Sequence, residues 1–162
     1  MKNALLIDLG GTNVRYASFI KNTLSEITKE KIADEEFIPF LTKLLEEEKN
    51  EIDYLVIAAA GPNDQRSINL TNRNLLIDSS ELKAKLNLKE CLLLNDWEAV
   101  AQSLSELNQE CFLPLKCGAP TSDNTLLIGP GTGLGVTLII KDQIIPTEFG
   151  NTFSPTRSML EI

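Results

Sequence analysis

The sequence predicts an α/β fold, with one domain built on a mixed sheet and then the first strands of a second domain. Three observations carry this. Residues 4–9 (ALLIDL) and 14–20 (VRYASFI) are apolar runs joined across Gly10-Gly11, the pattern of a paired-strand hairpin. Helical spacing then alternates with short apolar strands as far as residue 107. Finally the strand, glycine turn, strand pattern returns at 125–140, as an internal repeat would.

The elements follow in order. Asn22 marks a turn after the first hairpin, and 23–31 (TLSEITKEK) reads as a third strand. Over 34–48 the period changes, and Phe37, Phe40, Leu41, Leu44 and Leu45 share one helical face. Glu46, Glu47 and Glu48 close that helix, most simply as a solvated end, although their charge opposes the helix dipole. The run 53–60 (DYLVIAAA) reads as a central strand that stops at Gly61-Pro62. A short strand (67–71), a helix (79–86), a strand (91–94) and a helix (97–107) come next. Trp97, Val100, Ala101, Leu104 and Leu107 line one face of the last, so Trp97 reads as core. Strands are expected at 125–129, 134–140 and 144–147, with a turn at Asp142-Gln143. The expected division is 1–110 for the first domain and 111–162 for the incomplete second, whose strands alone bury little.

Composition narrows the chemistry. The 162 residues are 43% apolar, enough for a core, and carry a net charge of −8 with no histidine. An acidic chain without a basic stripe is a poor partner for nucleic acid. Acid–base work falls to carboxylates, and a bound metal would be a hard cation held by oxygens. Cys91, Cys111 and Cys117 form no CxxC pair and read as reduced thiols. No apolar run has the length of a membrane span and no signal-peptide pattern precedes Asp8, so a cytoplasmic protein is expected.

Four stretches could carry chemistry. At the first hairpin, Gly10 and Gly11 bare the backbone amides, Thr12 adds a hydroxyl and Asp8 sits at the mouth, where it could hold a hydrated Mg²⁺ near phosphates. A plain Gly-Gly turn is the alternative, but it has no need of the acid, the threonine or Arg15. The second stretch, GPGTGLG over 129–135, has four glycines in seven residues, too many for ordinary strand ends. Two such hairpins suggest two loops facing across a phosphate cleft. In LLLNDWEAVA, Asn95 and Asp96 end a strand and precede a helix. Two readings stand: a helix N-cap, or a ligand pair in which Asn95 orients a hydroxyl and Asp96 accepts its proton. Around Gly150, Glu148 and Asn151 are polar groups that a surface loop also explains.

Taken in order, LLIDLGGTNVR, AAAGP, LTN, LLLNDWEAVA, CGAP, GPGTGLG and PTEFGNTFSPT resemble the bacterial glucokinase family of the actin-like ATPase superfamily, from residue 4 to about 156. The resemblance implies a ribonuclease H-like (actin-like ATPase) small domain, and ATP-dependent phosphorylation of the glucose 6-hydroxyl. It implies Asp96 as catalytic base, with Asn95, Asp96, Glu148 and Asn151 on the sugar. It implies Asp8, Gly10, Gly11, Thr12 and Asn13 as the first phosphate loop, Gly131, Thr132 and Gly133 as the second, and Asp8 near Mg²⁺. The family's Glu-Gly-Gly-His segment is altered: Phe149 replaces the first glycine of the pair and Asn151 the histidine. That change leaves room for a kinase of an amino or N-acylated sugar, or for a non-catalytic sugar-binding remnant. The family's last sugar-contacting glutamate and its adenosine segment are expected beyond Ile162. The chain alone is therefore expected to bind ATP poorly, and either a homodimer or a complementing C-terminal half would cover its exposed strands.

Overall fold

A computed structural model describes residues 3–147 except 65, 71, 72, 117, 120, 121 and 131–133. The chain forms two compact units, Met1–Asp96 and Trp97–Ile162. The boundary between folding domains, placed at residue 110 from the sequence, remains a proposal.

In the first unit, β1 (Ala4–Leu9) and β2 (Val14–Ile20) are the expected antiparallel hairpin. Lys21 and Asn22 turn the chain with φ of 51° and 65°, the positive pair of a type I′ turn. The expected third strand is broken in two. Both β3 (Thr23–Leu24) and β4 (Thr28–Glu30) pair with β2, and the residues between them form a bulge. Ser25 sits at that bulge. Its hydroxyl accepts the Ser18 amide (2.9 Å), so a side chain supplies the acceptor that the ladder loses.

Asp34–Glu36 form a 3-10 turn that leads into α1 (Phe37–Glu47), which buries Phe37, Phe40 and Leu41. The Phe40 ring meets Tyr16 edge-on with centroids 5.5 Å apart. Then come β5 (Tyr54–Ala59), β6 (Ser67–Asn69), β7 (Leu76–Asp78), α2 (Ser79–Lys85) and β8 (Glu90–Asn95). The sequence did not point to β7, a three-residue strand that pairs with β6. Asp78 caps α2 by accepting the Ser80 and Glu81 amides, both at 2.9 Å.

The main sheet runs β3-β2-β1-β5-β8, with β4 also on β2, and β5 and β8 lie parallel to β1. Register places three rows of side chains on one buried face: Leu5, Leu55 and Cys91; Ile7, Ile57 and Leu93; Leu9, Ala59 and Asn95. Each buried Leu or Ile is worth about 1.5–3 kcal/mol, so a one-residue slip of β5 would forfeit several such terms.

In the second unit, α3 continues from Asp96 to Ser103, shorter than expected, and Leu104–Glu106 tighten into a 3-10 turn. The strands β9 (Thr125–Pro130), β10 (Leu134–Ile140) and β11 (Gln143–Thr147) form an antiparallel meander. Its second turn is Lys141-Asp142, with φ of 48° and 65°, one residue earlier than the sequence suggested. Each unit thus has an antiparallel hairpin followed by a two-residue turn of positive φ. No helix among the described residues is long and apolar enough to cross a membrane.

The glutamate run needs one correction. Glu46 and Glu47 are exposed, but Glu48 is half-buried and accepts from Ser18 Oγ (2.7 Å) and Asn50 Nδ2 (3.2 Å). These bonds, Ser18 first, hold its carboxyl below the ordinary range. Glu48 therefore adds stability above the ordinary carboxylate pKa of about 4.3, and loses it as pH falls through the lower folded value. Ser18→Ala should cost about 0.5–1 kcal/mol at neutral pH. In melting curves from neutral pH to about pH 3, its gap to the unaltered chain should narrow towards acid.

Cys91 offers a second check. Burial, then the Glu90 and Asp78 charges, push its thiol up to about 12, whereas Cys111 is exposed. Iodoacetamide at mildly alkaline pH should alkylate Cys111 in the native chain and Cys91 only after unfolding, as read by peptide mass spectrometry.

Candidate active site

Parallel pairing of β1, β5 and β8 brings their C-terminal ends to one edge of the first unit. Leu9, Ala59 and Asn95 are register partners there. The loops that leave this edge are Gly10–Asn13, the Ala60-Gly61 corner and the Asn95-Asp96 step into α3. Ligands of open α/β sheets bind outside such strand ends.

The first glycine turn is closed by the Gly10 amide, which donates to the Asn13 carbonyl (2.9 Å). Gly11 and Thr12 stand exposed beyond it. Asp8 faces Arg15 across the hairpin, and the guanidinium donates to Asp8 Oδ2 at 2.8 Å. Arg15 thus braces the acid. Both side chains are about half exposed, so the pair adds little stability.

Asn95 ends a row of core residues and is only 6% exposed. A buried amide is costly unless it is bonded. Its Nδ2 donates to the Gly61 carbonyl (3.3 Å), and both Asn95 and Asp96 engage further partners. Gly61 has to be glycine, because a Cβ there would overlap the Asn69 carbonyl oxygen. Asn63 Nδ2 donates to the Leu93 carbonyl (2.9 Å) and ties the same corner to β8. Asp96, the first residue of α3, places its charge at a helix N-terminus, where the dipole favours it.

Asp8, Gly10, Gly11, Thr12, Asn13, Asn95 and Asp96 therefore gather at one sheet edge. Gly131, Thr132, Gly133, Glu148 and Asn151, together with Phe149, lie outside the described residues. Asp8 belongs to no cluster of three or more His, Cys, Asp or Glu among the described residues. A single carboxylate still suits Mg²⁺, which takes most of its ligands from water and phosphate oxygens.

Two residues of the second glycine stretch have a separate explanation. Gly129 and Gly135 are cross-strand partners, and a Cβ on either would overlap the Trp97 indole. They form the floor on which Trp97 packs, and the residue is half-buried there rather than fully in the core that its helical face suggests.

The sequence pattern of the Glucokinase family matches residues 5–161. The chain belongs to the glucokinase family. A glucokinase from Pseudomonas aeruginosa is 30% identical over 165 residues, which cover 95% of this chain and 50% of that protein. The solved glucokinase of Balamuthia mandrillaris in complex with glucose has a TM-score of 0.74 at 25% identity, covering 95% of this chain and 50% of that one. A glucokinase from an Antarctic psychrotroph has a TM-score of 0.70 at 21% identity, covering 99% and 56%. The fold is that of these kinases, the actin-like ATPase fold expected from the sequence. The chain spans about half the length of the curated relatives it matches.

Gly61-Pro62 carries an ordinary turn signal and Asn63 carries none, yet the Gly61 carbonyl accepts from Asn95 and Asn63 ties the corner to the Leu93 carbonyl. Arg73 lies in a polar stretch that resembles any loop, and no periodicity singles it out.

The floor under Trp97 can be tested directly, since it is the only tryptophan. Gly135→Ala should displace the indole, cost about 1–3 kcal/mol and shift the emission maximum. Gly118→Ala, whose Cβ would meet nothing within 4 Å, should change neither.

Proposed function

We propose that this chain is the sugar-gripping and phosphate-gripping half of a glucokinase, which transfers the ATP γ-phosphate to the 6-hydroxyl of glucose. The observation that carries the reading is the meeting of Asp96, Asn95 and the Gly10–Asn13 turn at one sheet edge. The relatives' names and the glucose-bound neighbour support the sugar.

In this reading Asn95 orients the sugar through hydrogen bonds, its amide already fixed from behind by Gly61. Asp96 accepts the proton of the 6-hydroxyl as that oxygen attacks. A carboxylate of ordinary basicity suffices, because phosphoryl transfer is loose and the proton leaves late. Positioning then supplies most of the rate. The amides of Gly11 and Thr12 cradle phosphate oxygens, and the family resemblance gives Gly131, Thr132 and Gly133 a phosphate role as well. Asp8, braced by Arg15, would help hold a hydrated Mg²⁺, which would supply neutralisation of phosphate charge. The family resemblance gives Glu148 and Asn151 a role on the sugar, and the departures at Phe149 and Asn151 bear on which hexose is preferred. An amino or N-acylated hexose is the second reading, carried by those two substitutions.

Leu113, Leu115, Leu126 and Ile128 are exposed apolar residues of the second unit. We assign them as cover for a complementing C-terminal half, in keeping with the share of the relatives that the chain spans.

The test is a coupled assay for sugar phosphate with Mg-ATP and a panel of hexoses, beside calorimetric titration of glucose. The chain alone should bind glucose with little turnover; joined to a complementing C-terminal half it should phosphorylate glucose, and Asp96→Asn should then lower turnover by about 10²–10⁴ while glucose still binds. Turnover that survives in Asp96→Asn, or glucose that neither binds nor reacts, would reject the proposal.

A further inference from the structure

We infer that Arg73 is a positioning residue which orients the Thr12 amide of the first glycine loop. The purpose of that orientation rests on the phosphate role proposed above.

The Arg73 side chain is only 4% exposed, unusual for a guanidinium. Its Nε donates to the Gly11 carbonyl at 3.2 Å, and Nη2 donates to the Ile32 carbonyl at 3.0 Å. Nη1 lies 3.4 Å from Asp34 Oδ1 as an ion pair without hydrogen-bond geometry, and is otherwise a buried, unbonded donor. The other Asp34 oxygen accepts the amide of Asn74 (3.0 Å). Asp34 thus grips the chain at Arg73 and at its neighbour.

Burying a cation to meet two backbone carbonyls is a costly way to hold an ordinary turn. The hairpin needs no such help, because the Gly10 amide already closes it on Asn13. What the guanidinium adds is direction. The peptide group is planar, and no peptide bond among the described residues is cis. Fixing the Gly11 carbonyl towards Arg73 therefore fixes the Thr12 N–H in the opposite sense, away from Arg73. Gly11 and Thr12 are exposed, so that amide is held ready for an anion approaching from solvent. Glycine at 11 would otherwise let this peptide rotate freely. Lysine could not replace the arginine, since two carbonyls in different directions need a forked donor.

The experiment is ¹⁵N relaxation and Mg-ATP titration by NMR on the whole chain and on Arg73→Lys. In the unaltered chain Thr12 should show an order parameter near 0.85, typical of rigid backbone, and its amide should shift with Mg-ATP. In Arg73→Lys the Leu5–Leu9 ladder amides should keep their shifts. Thr12 should fall below about 0.6, and Mg-ATP affinity should drop about tenfold. A folded Arg73→Lys with Thr12 still rigid overturns the inference. Should Arg73→Lys not fold, Asp34→Asn keeps an acceptor for Asn74 but removes the ion pair. It should loosen Thr12 part-way, and a rigid Thr12 there overturns the inference equally. If Thr12 depends on Arg73 but no loop amide responds to Mg-ATP in the unaltered chain, the anchor stands and the phosphate reading of the loop falls.

Discussion

The parallel pairing of β1, β5 and β8 is the constraint on which the rest of this structure depends. Their ladders are aligned so that Leu9, Ala59 and Asn95 fall in one row at the end of the buried face. The hydrophobic rows below that point set the register, because a slip would turn Leu55 and Ile57 out of the core. The same register decides where the chain leaves each strand. The glycine turn, the Gly61 corner and the Asn95-Asp96 step meet at one edge as a by-product of core packing.

That edge is also where the fold bears its polar cost. Asn95 is buried within a hydrophobic row, and Arg73 is buried behind an exposed loop. Neither position is economical for stability, since an unmatched buried amide or guanidinium is strongly unfavourable. Each is compensated by a backbone carbonyl of a loop: Gly61 for Asn95, Gly11 and Ile32 for Arg73. The polar groups fix loop geometry, and the loops satisfy the polar groups. Glycine at 61 lets the corner lie against the Asn69 backbone, which any side chain there would meet. Gly129 and Gly135 serve packing in the second unit in a similar way, beneath a single indole.

Much of the architecture was legible because its signals are local. Alternating apolar runs gave the β1–β2 hairpin, the 3.6-residue period gave α1, and Gly61-Pro62 ended β5. The misses share a physical origin. The third strand was read as continuous because nothing local shows that Ser25 can replace a ladder acceptor. Glu48 looked like a solvated charge because its partner, Ser18, lies on a distant strand. The strand β7 is too short for its period to show and exists through pairing with β6. For the site, Asp8, the glycine turn, Asn95 and Asp96 were visible as residue types out of place in a strand pattern. Gly61, Asn63 and Arg73 were not, because their roles consist of long-range contacts to backbone atoms.

By itself the sequence determined the α/β class, the strand and helix order of most of the chain, the glycine loops and membership of a kinase family. Periodicity, turn chemistry and motif order are encoded within a few residues of one another. Tertiary structure alone decided that Arg15 braces Asp8, that Asn95 is a core residue tied to Gly61, that two glycines make room for Trp97, and that Arg73 lies behind the first loop. Each of these depends on which strands pair and in what register, and that choice is made by the whole set of buried side chains at once.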